Sequence, residues 1–86
     1  MVARHIPGYN YCGPGTEDFT AEPVNALDRA CRTHDLAYRA SKNRSTRILA
    51  DAALLWKARM LQMRYPLAAG IVATAMATAP GLWYRG

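Results

Sequence analysis

Cys31-Arg32-Thr33-His34-Asp35-Leu36-Ala37-Tyr38 sets a base and a carboxylate side by side in a stretch that reads as helix. At about 100° per residue, Leu27, Cys31, His34 and Tyr38 fall within a stripe roughly 60° wide, with Asp35 at its edge. Arg32 and Arg39 lie on the far side, so this helix is predicted to bury the face that carries its histidine. Neighbouring helical residues point to different azimuths, which lets His34 and Asp35 divide the work between a proton and an ion. The start of the helix is marked by Pro23-Val24-Asn25. Asn25 serves as N-cap and Asp28 follows three residues later, as in a capping box with a shorter acid.

Upstream, the first two dozen residues are rich in Gly, Pro, Tyr and Asn and show no helical period, so they read as an irregular loop. Within it, Tyr11-Cys12-Gly13-Pro14-Gly15 can offer the alternate carbonyls of Tyr11, Gly13 and Gly15 to one side. A hard cation such as calcium takes six to eight oxygen ligands, many of them backbone carbonyls, and glycine permits the close approach and unusual φ this needs. Asp35 can add a carboxylate to that set.

Downstream, residues 41–45 are polar and turn-like, and a second helix is predicted over about residues 46–64. Leu49, Ala52, Ala53, Trp56, Met60 and Met63 recur there at helical spacing. Asp51 is the only charge between Ile48 and Trp56, and a carboxylate in so apolar a setting needs a partner. Pro66 is read as the end of that helix. A third, small-residue-rich apolar helix is predicted over residues 67–78, with Pro80-Gly81 stopping it before Leu82-Trp83-Tyr84. The expected architecture is all-α and a single domain spanning residues 1–86.

The chain carries a net charge of +5, and arginine supplies most of its cationic residues, which suits phosphate groups. That charge fits an anionic membrane surface or nucleic acid equally well; no helix-turn-helix, zinc-finger or aromatic-rich RNA-binding pattern accompanies it, so nucleic acid is the weaker alternative to a phospholipid membrane surface as partner. The N-terminal residues hold no apolar signal-peptide core, which leaves a chain not exported by that route or a piece of something larger.

Together, Tyr11-x-Gly13-x-Gly15 and His34-Asp35-x-x-Tyr38 resemble the calcium loop and active-site helix of the phospholipases A2. Pro7-Gly8-Tyr9-Asn10-Tyr11-Cys12-Gly13-Pro14-Gly15-Thr16 is most similar to the parvovirus-type loop, including its proline between the glycines. The resemblance continues through Ala50-Asp51 and so covers roughly the first two-thirds of the chain. It implies that His34 is the general base, that Asp51 orients its imidazole, and that Tyr38 supports Asp51 through its hydroxyl. It further implies a calcium ion held by Asp35 and the carbonyls of Tyr11, Gly13 and Gly15, with the Gly13 N–H as an oxyanion-hole donor. The implied reaction is hydrolysis of the sn-2 ester of a glycerophospholipid. The implied setting is a viral capsid protein that breaches a membrane, or a secreted enzyme.

The resemblance also bears on the cysteines, because in the secreted enzymes the positions of Cys12 and Cys31 form a disulfide. Many parvoviral sequences lack that pair, so the chain combines features of both branches. A zinc site from His5, Cys12, Cys31 and His34, in a basic binding domain, is a competing reading, since Cys31 and His34 share a helical face. Two free thiols in a reducing compartment are a third. The same sequence is compatible with a catalytically silent membrane-binding module. The uncharged stretch from Pro66 to Tyr84 also approaches the length of a membrane span.

Overall fold

A computed structural model describes residues 5–13, 16 and 18–78. Three helices follow the N-terminal loop: α1 (Ala26–Ala40), α2 (Arg44–Met60) and α3 (Pro66–Thr78). Among the described residues there is no strand, so the all-α expectation holds. Gly15 and the Trp83-Tyr84 pair, both singled out in the sequence, lie outside the described residues.

α1 begins where its cap signals place it. Asn25 adopts an extended backbone and its side chain accepts from the Asp28 N–H at 2.9 Å. Leu27, Cys31, His34 and Tyr38 are all buried, as their stripe requires, and Asp28 and Asp35 join them. α2 starts two residues before its predicted position because Asn43 is its cap, accepting from the N–H groups of Ser45 at 2.8 Å and Thr46 at 3.2 Å. It also ends early, at Met60. Pro66 does not terminate α2 but opens α3 at its first position, where a missing N–H costs nothing.

α1 and α2 pack as a helical hairpin, and α3 packs against α2. The core gathers Leu27 and Cys31 of α1, Leu54 and Ala58 of α2, and Ala69, Val72 and Met76 of α3. Tyr11 and Cys12 of the loop complete it, each with no exposed surface. The apolar stripe read along α2 faces outward instead: Leu49 is 70 % exposed, Trp56 63 % and Met60 59 %. The reason is rotational. Asp51 lies on the same side of the helix as Leu54 and Ala58, and turning it toward α1 sends residues roughly 140–180° away into solvent. Among the described residues no helix is long and apolar enough to cross a bilayer, and the end of the uncharged stretch from Pro66 to Tyr84 lies outside them.

Two attachments hold the irregular loop to α1. Cys12 and Cys31 form a disulfide with their Cα atoms 5.2 Å apart. The zinc reading therefore loses both thiolates. The second attachment is the fully buried Asp28 carboxylate, which accepts the N–H groups of Asn10, Tyr11 (2.8 Å) and Val24 (3.0 Å). The capping box is thus half local: the Asp28 backbone N–H bonds the cap, while its side chain reaches across to the loop.

Both attachments can be tested by unfolding. Reducing the disulfide, which closes a span of 19 residues, should lower unfolding stability by about 3 kcal/mol in the chain-entropy model. Urea unfolding with and without a thiol reductant measures it, and coincident curves would contradict a stapling role. Asp28→Ala should cost about 3 kcal/mol, since it strands a buried N–H and removes hydrogen bonds to a charged group. An unfolding midpoint equal to that of the parent chain would show that the loop does not depend on this carboxylate.

Candidate active site

The stripe of α1 and the isolated carboxylate of α2 meet inside the hairpin. His34 Nε2 lies 2.7 Å from Asp51 Oδ1, and the Tyr38 hydroxyl donates to both Asp51 oxygens at 2.7 and 2.9 Å. His34 is 2 % exposed, so its ring has few other partners available. An ionised carboxylate can only accept, so the neutral imidazole carries its proton on Nε2 and leaves Nδ1 bare. Burial, reinforced by the neighbouring Asp51 carboxylate, pushes the Tyr38 phenol well above its ordinary range, which keeps it a donor. The Arg47 guanidinium stacks 4.6 Å from the Tyr38 ring and donates to the Tyr38 carbonyl, fixing the ring from behind.

The bare Nδ1 faces Asp35, whose Oδ1 is 3.5 Å away. Two acceptors opposed at that distance call for a donor or a cation beside them. Asp35 Oδ2 is buried and finds no hydrogen-bond partner among the described residues. Burial raises the Asp35 pKa above the usual carboxylate value, while the nearby His34 ring and Thr16 act in the opposite direction. A buried carboxylate oxygen left without a partner is costly, so this position favours a donor or a cation beside it.

The loop residues are arranged compatibly. The Cys12 carbonyl is engaged by the Ile6 N–H at 2.7 Å, so the residue between Tyr11 and Gly13 serves the loop's own scaffold. Gly13 has φ +149°, a conformation that side-chain-bearing residues rarely adopt, which accounts for glycine at this position. Among the described residues no cluster of three or more His, Cys, Asp or Glu side chains could hold a metal by itself. Backbone carbonyls of the kind a glycine loop offers are a donor type that suits a hard ion such as calcium.

The structure thus brings together His34, Asp35, Tyr38 and Asp51. It places Tyr11 and Gly13 in a buried loop that the disulfide ties to the same helix, while Gly15 lies outside the described residues. Three further residues, Asp28, Thr16 and His5, support the loop and site in roles that the sequence does not announce. Asp28 is legible there only as a cap. Thr16 is buried beside Asp35, and the His5 ring bonds its hydroxyl at 2.8 Å. No sequence pattern joins that last pair, because they lie eleven positions apart in an irregular loop.

Comparison with known proteins follows the same residues. A family model described as "phospholipase A2-like domain" matches residues 2–66. Over 33 residues, 38 % of this chain, the sequence is 52 % identical to the minor capsid protein VP1 of bovine parvovirus 1. That match spans 5 % of the capsid protein's own length. No solved structure matches the chain.

Proposed function

The chain belongs to the phospholipase A2-like domain family, and on that premise we propose that it is a calcium-dependent phospholipase A2. It would hydrolyse the sn-2 ester of glycerophospholipids to a lysophospholipid and a fatty acid. The observation that carries this reading is the 2.7 Å contact between His34 Nε2 and Asp51, which leaves Nδ1 turned toward the under-satisfied Asp35 carboxylate.

In the proposed reaction, a water at Nδ1 gives its proton to His34 as it attacks the ester carbonyl. Asp51 stabilises the imidazolium that results and fixes the ring's tautomer, as the carboxylate of a catalytic triad does. Tyr38 keeps Asp51 oriented from its other side. The proton then passes from Nδ1 to the leaving alkoxide, and no covalent acyl-enzyme is required. Asp35 and the carbonyls of Tyr11, Gly13 and Gly15 would hold calcium, whose charge would stabilise the developing oxyanion and the substrate phosphate. The Gly13 N–H is the proposed additional donor to the oxyanion, a contribution of roughly 2.7–4 kcal/mol for one such group.

Similarity to part of a minor capsid protein supports a place within a virion, where lipid hydrolysis would open a membrane to the particle. The phospholipid surface is then both substrate and partner.

Release of fatty acid from phosphatidylcholine vesicles, with and without a chelator, tests reaction and metal together. A catalytically silent module would release none, and activity that survives chelation would remove calcium from the scheme. His34→Gln should lower turnover by about 10²–10⁴-fold, the usual contribution of a general base, while calcium affinity by titration calorimetry stays close to the parent value. Asp35→Asn should weaken calcium affinity and turnover together. Full activity in the first variant, or unchanged affinity in the second, would refute the corresponding role.

A further inference from the structure

α2 turns an apolar stripe to solvent beside the groove that reaches His34, and we propose that this stripe docks the protein on an anionic phospholipid leaflet. Leu49, Trp56 and Met60 are each more than half exposed and fall within roughly 40° of one another around the helix. Met63, in the turn that follows, is 97 % exposed. Single exposed apolar side chains are ordinary, but an aligned run that includes a tryptophan marks an interaction surface.

Charge identifies the partner. α2 carries four cationic residues against one carboxylate, and that carboxylate, Asp51, is turned inward to His34. Lys57 and Arg59 are exposed and flank the stripe at roughly 80° on either side. The outer face of α2 therefore has an apolar centre, a cationic border and no acidic group. That is the pattern of a helix lying in a headgroup layer, its apolar side in the acyl boundary and its cations at the phosphates. Tryptophan favours the same depth. Each cation near an anionic surface adds about five-fold to partitioning, so binding should rise with anionic lipid and fall with salt.

Position ties the surface to the site. A groove of about 200 Å³ between α1 and α2 reaches His34 and is lined by Ala30, Ala37, Ala50, Ala53 and Leu54, with Lys57 at its edge. Ala53 and Lys57 adjoin the stripe on α2, so a leaflet resting on Leu49, Trp56 and Met60 meets the mouth of the groove. A lipid could then pass toward His34 without crossing bulk water. This consequence for catalysis rests on the proposed phospholipase reading; the docking itself does not.

The test uses the full chain and vesicles of ether-linked phosphatidylcholine, with and without ether-linked phosphatidylglycerol, which lack a cleavable acyl ester. In a Trp83→Phe background Trp56 is the sole tryptophan. Its emission should shift to the blue on anionic vesicles and much less on neutral ones. Leu49→Ser/Trp56→Ser/Met60→Ser should bind anionic vesicles at least about ten-fold more weakly, with an unchanged urea midpoint and unchanged hydrolysis of dispersed short-chain phosphatidylcholine. Lys57→Gln/Arg59→Gln should remove most of the salt-sensitive part of binding. Binding by the triple variant equal to that of the parent chain would overturn the proposal, as would an unshifted Trp56. So would a parent chain that self-associates through the stripe, with the triple variant monomeric and equal in vesicle binding. Stripe-dependent binding without hydrolysis of dispersed substrate would refute the enzymatic reading and leave docking intact. Hydrolysis of dispersed substrate by a chain that does not dock would refute docking alone.

Discussion

The rest of the structure depends on one carboxylate being met from two sides. Asp51 takes a hydrogen bond from the His34 ring and another from the Tyr38 hydroxyl, so two residues one turn apart on α1 grip a single residue of α2. A buried polar group left unpaired costs about 1–3 kcal/mol, more for a charged one, which makes this meeting point hard to displace. Because helices are rigid, gripping α2 at one residue sets its rotation along its whole length. Leu54 and Ala58 are carried inward with Asp51, and Leu49, Trp56 and Met60 are carried outward. The same contact thus decides which face of α2 joins the core and which nitrogen of His34 is left for chemistry.

The loop is held by a different device. Irregular backbone is costly to bury because its N–H and C=O groups need partners. Here one carboxylate answers three of them: Asp28 accepts from Asn10, Tyr11 and Val24. The Tyr11 hydroxyl reaches the Ala21 carbonyl at 2.5 Å, and the disulfide fixes the next residue to α1. Against that satisfaction, Asp35 Oδ2 is buried and, among the described residues, without a hydrogen-bond partner, as is Arg32 Nε. The Asp35 deficit lies beside the bare imidazole nitrogen, where the proposed cation would relieve it.

Much of this is legible in the sequence because its causes are local. Asn25 and Asp28 announce the start of α1, and the spacing of Leu27, Cys31, His34 and Tyr38 announces its buried face. The need of Asp51 for a partner can be read from its isolation among apolar residues. What cannot be read is a competition. The apolar spacing of Leu49, Trp56 and Met60 favours one rotation of α2, and the single Asp51 favours nearly the opposite one. Counting apolar residues gives the first answer, whereas the structure follows the second, since an unmet carboxylate outweighs apolar side chains left partly in water. Asp28 is hidden for a related reason: a cap is a local pattern, but the distant N–H groups its side chain meets depend on how the loop returns. Asn43 and Pro66 do mark helix ends, and the sequence leaves open only which side of the end each one occupies.

The outward stripe has a consequence for stability that links the two ends of the molecule. Full burial of a Leu or Met side chain contributes about 1.5–3 kcal/mol, so a chain of 86 residues that leaves Leu49, Trp56, Met60 and Met63 largely in solvent forgoes a substantial part of its possible core. Small domains already have little to spare, and natural ones of this size lean on staples or metals. The Cys12–Cys31 bond, at about 3 kcal/mol, offsets burial of one to two such side chains. It does so on the loop side, away from α2, where a cross-link leaves the outer face free. A staple on one side of α1 and an unburied apolar surface on the far side of α2 are therefore complementary. Cohesion supplied by the covalent bond lets apolar area be kept for a surface outside the protein.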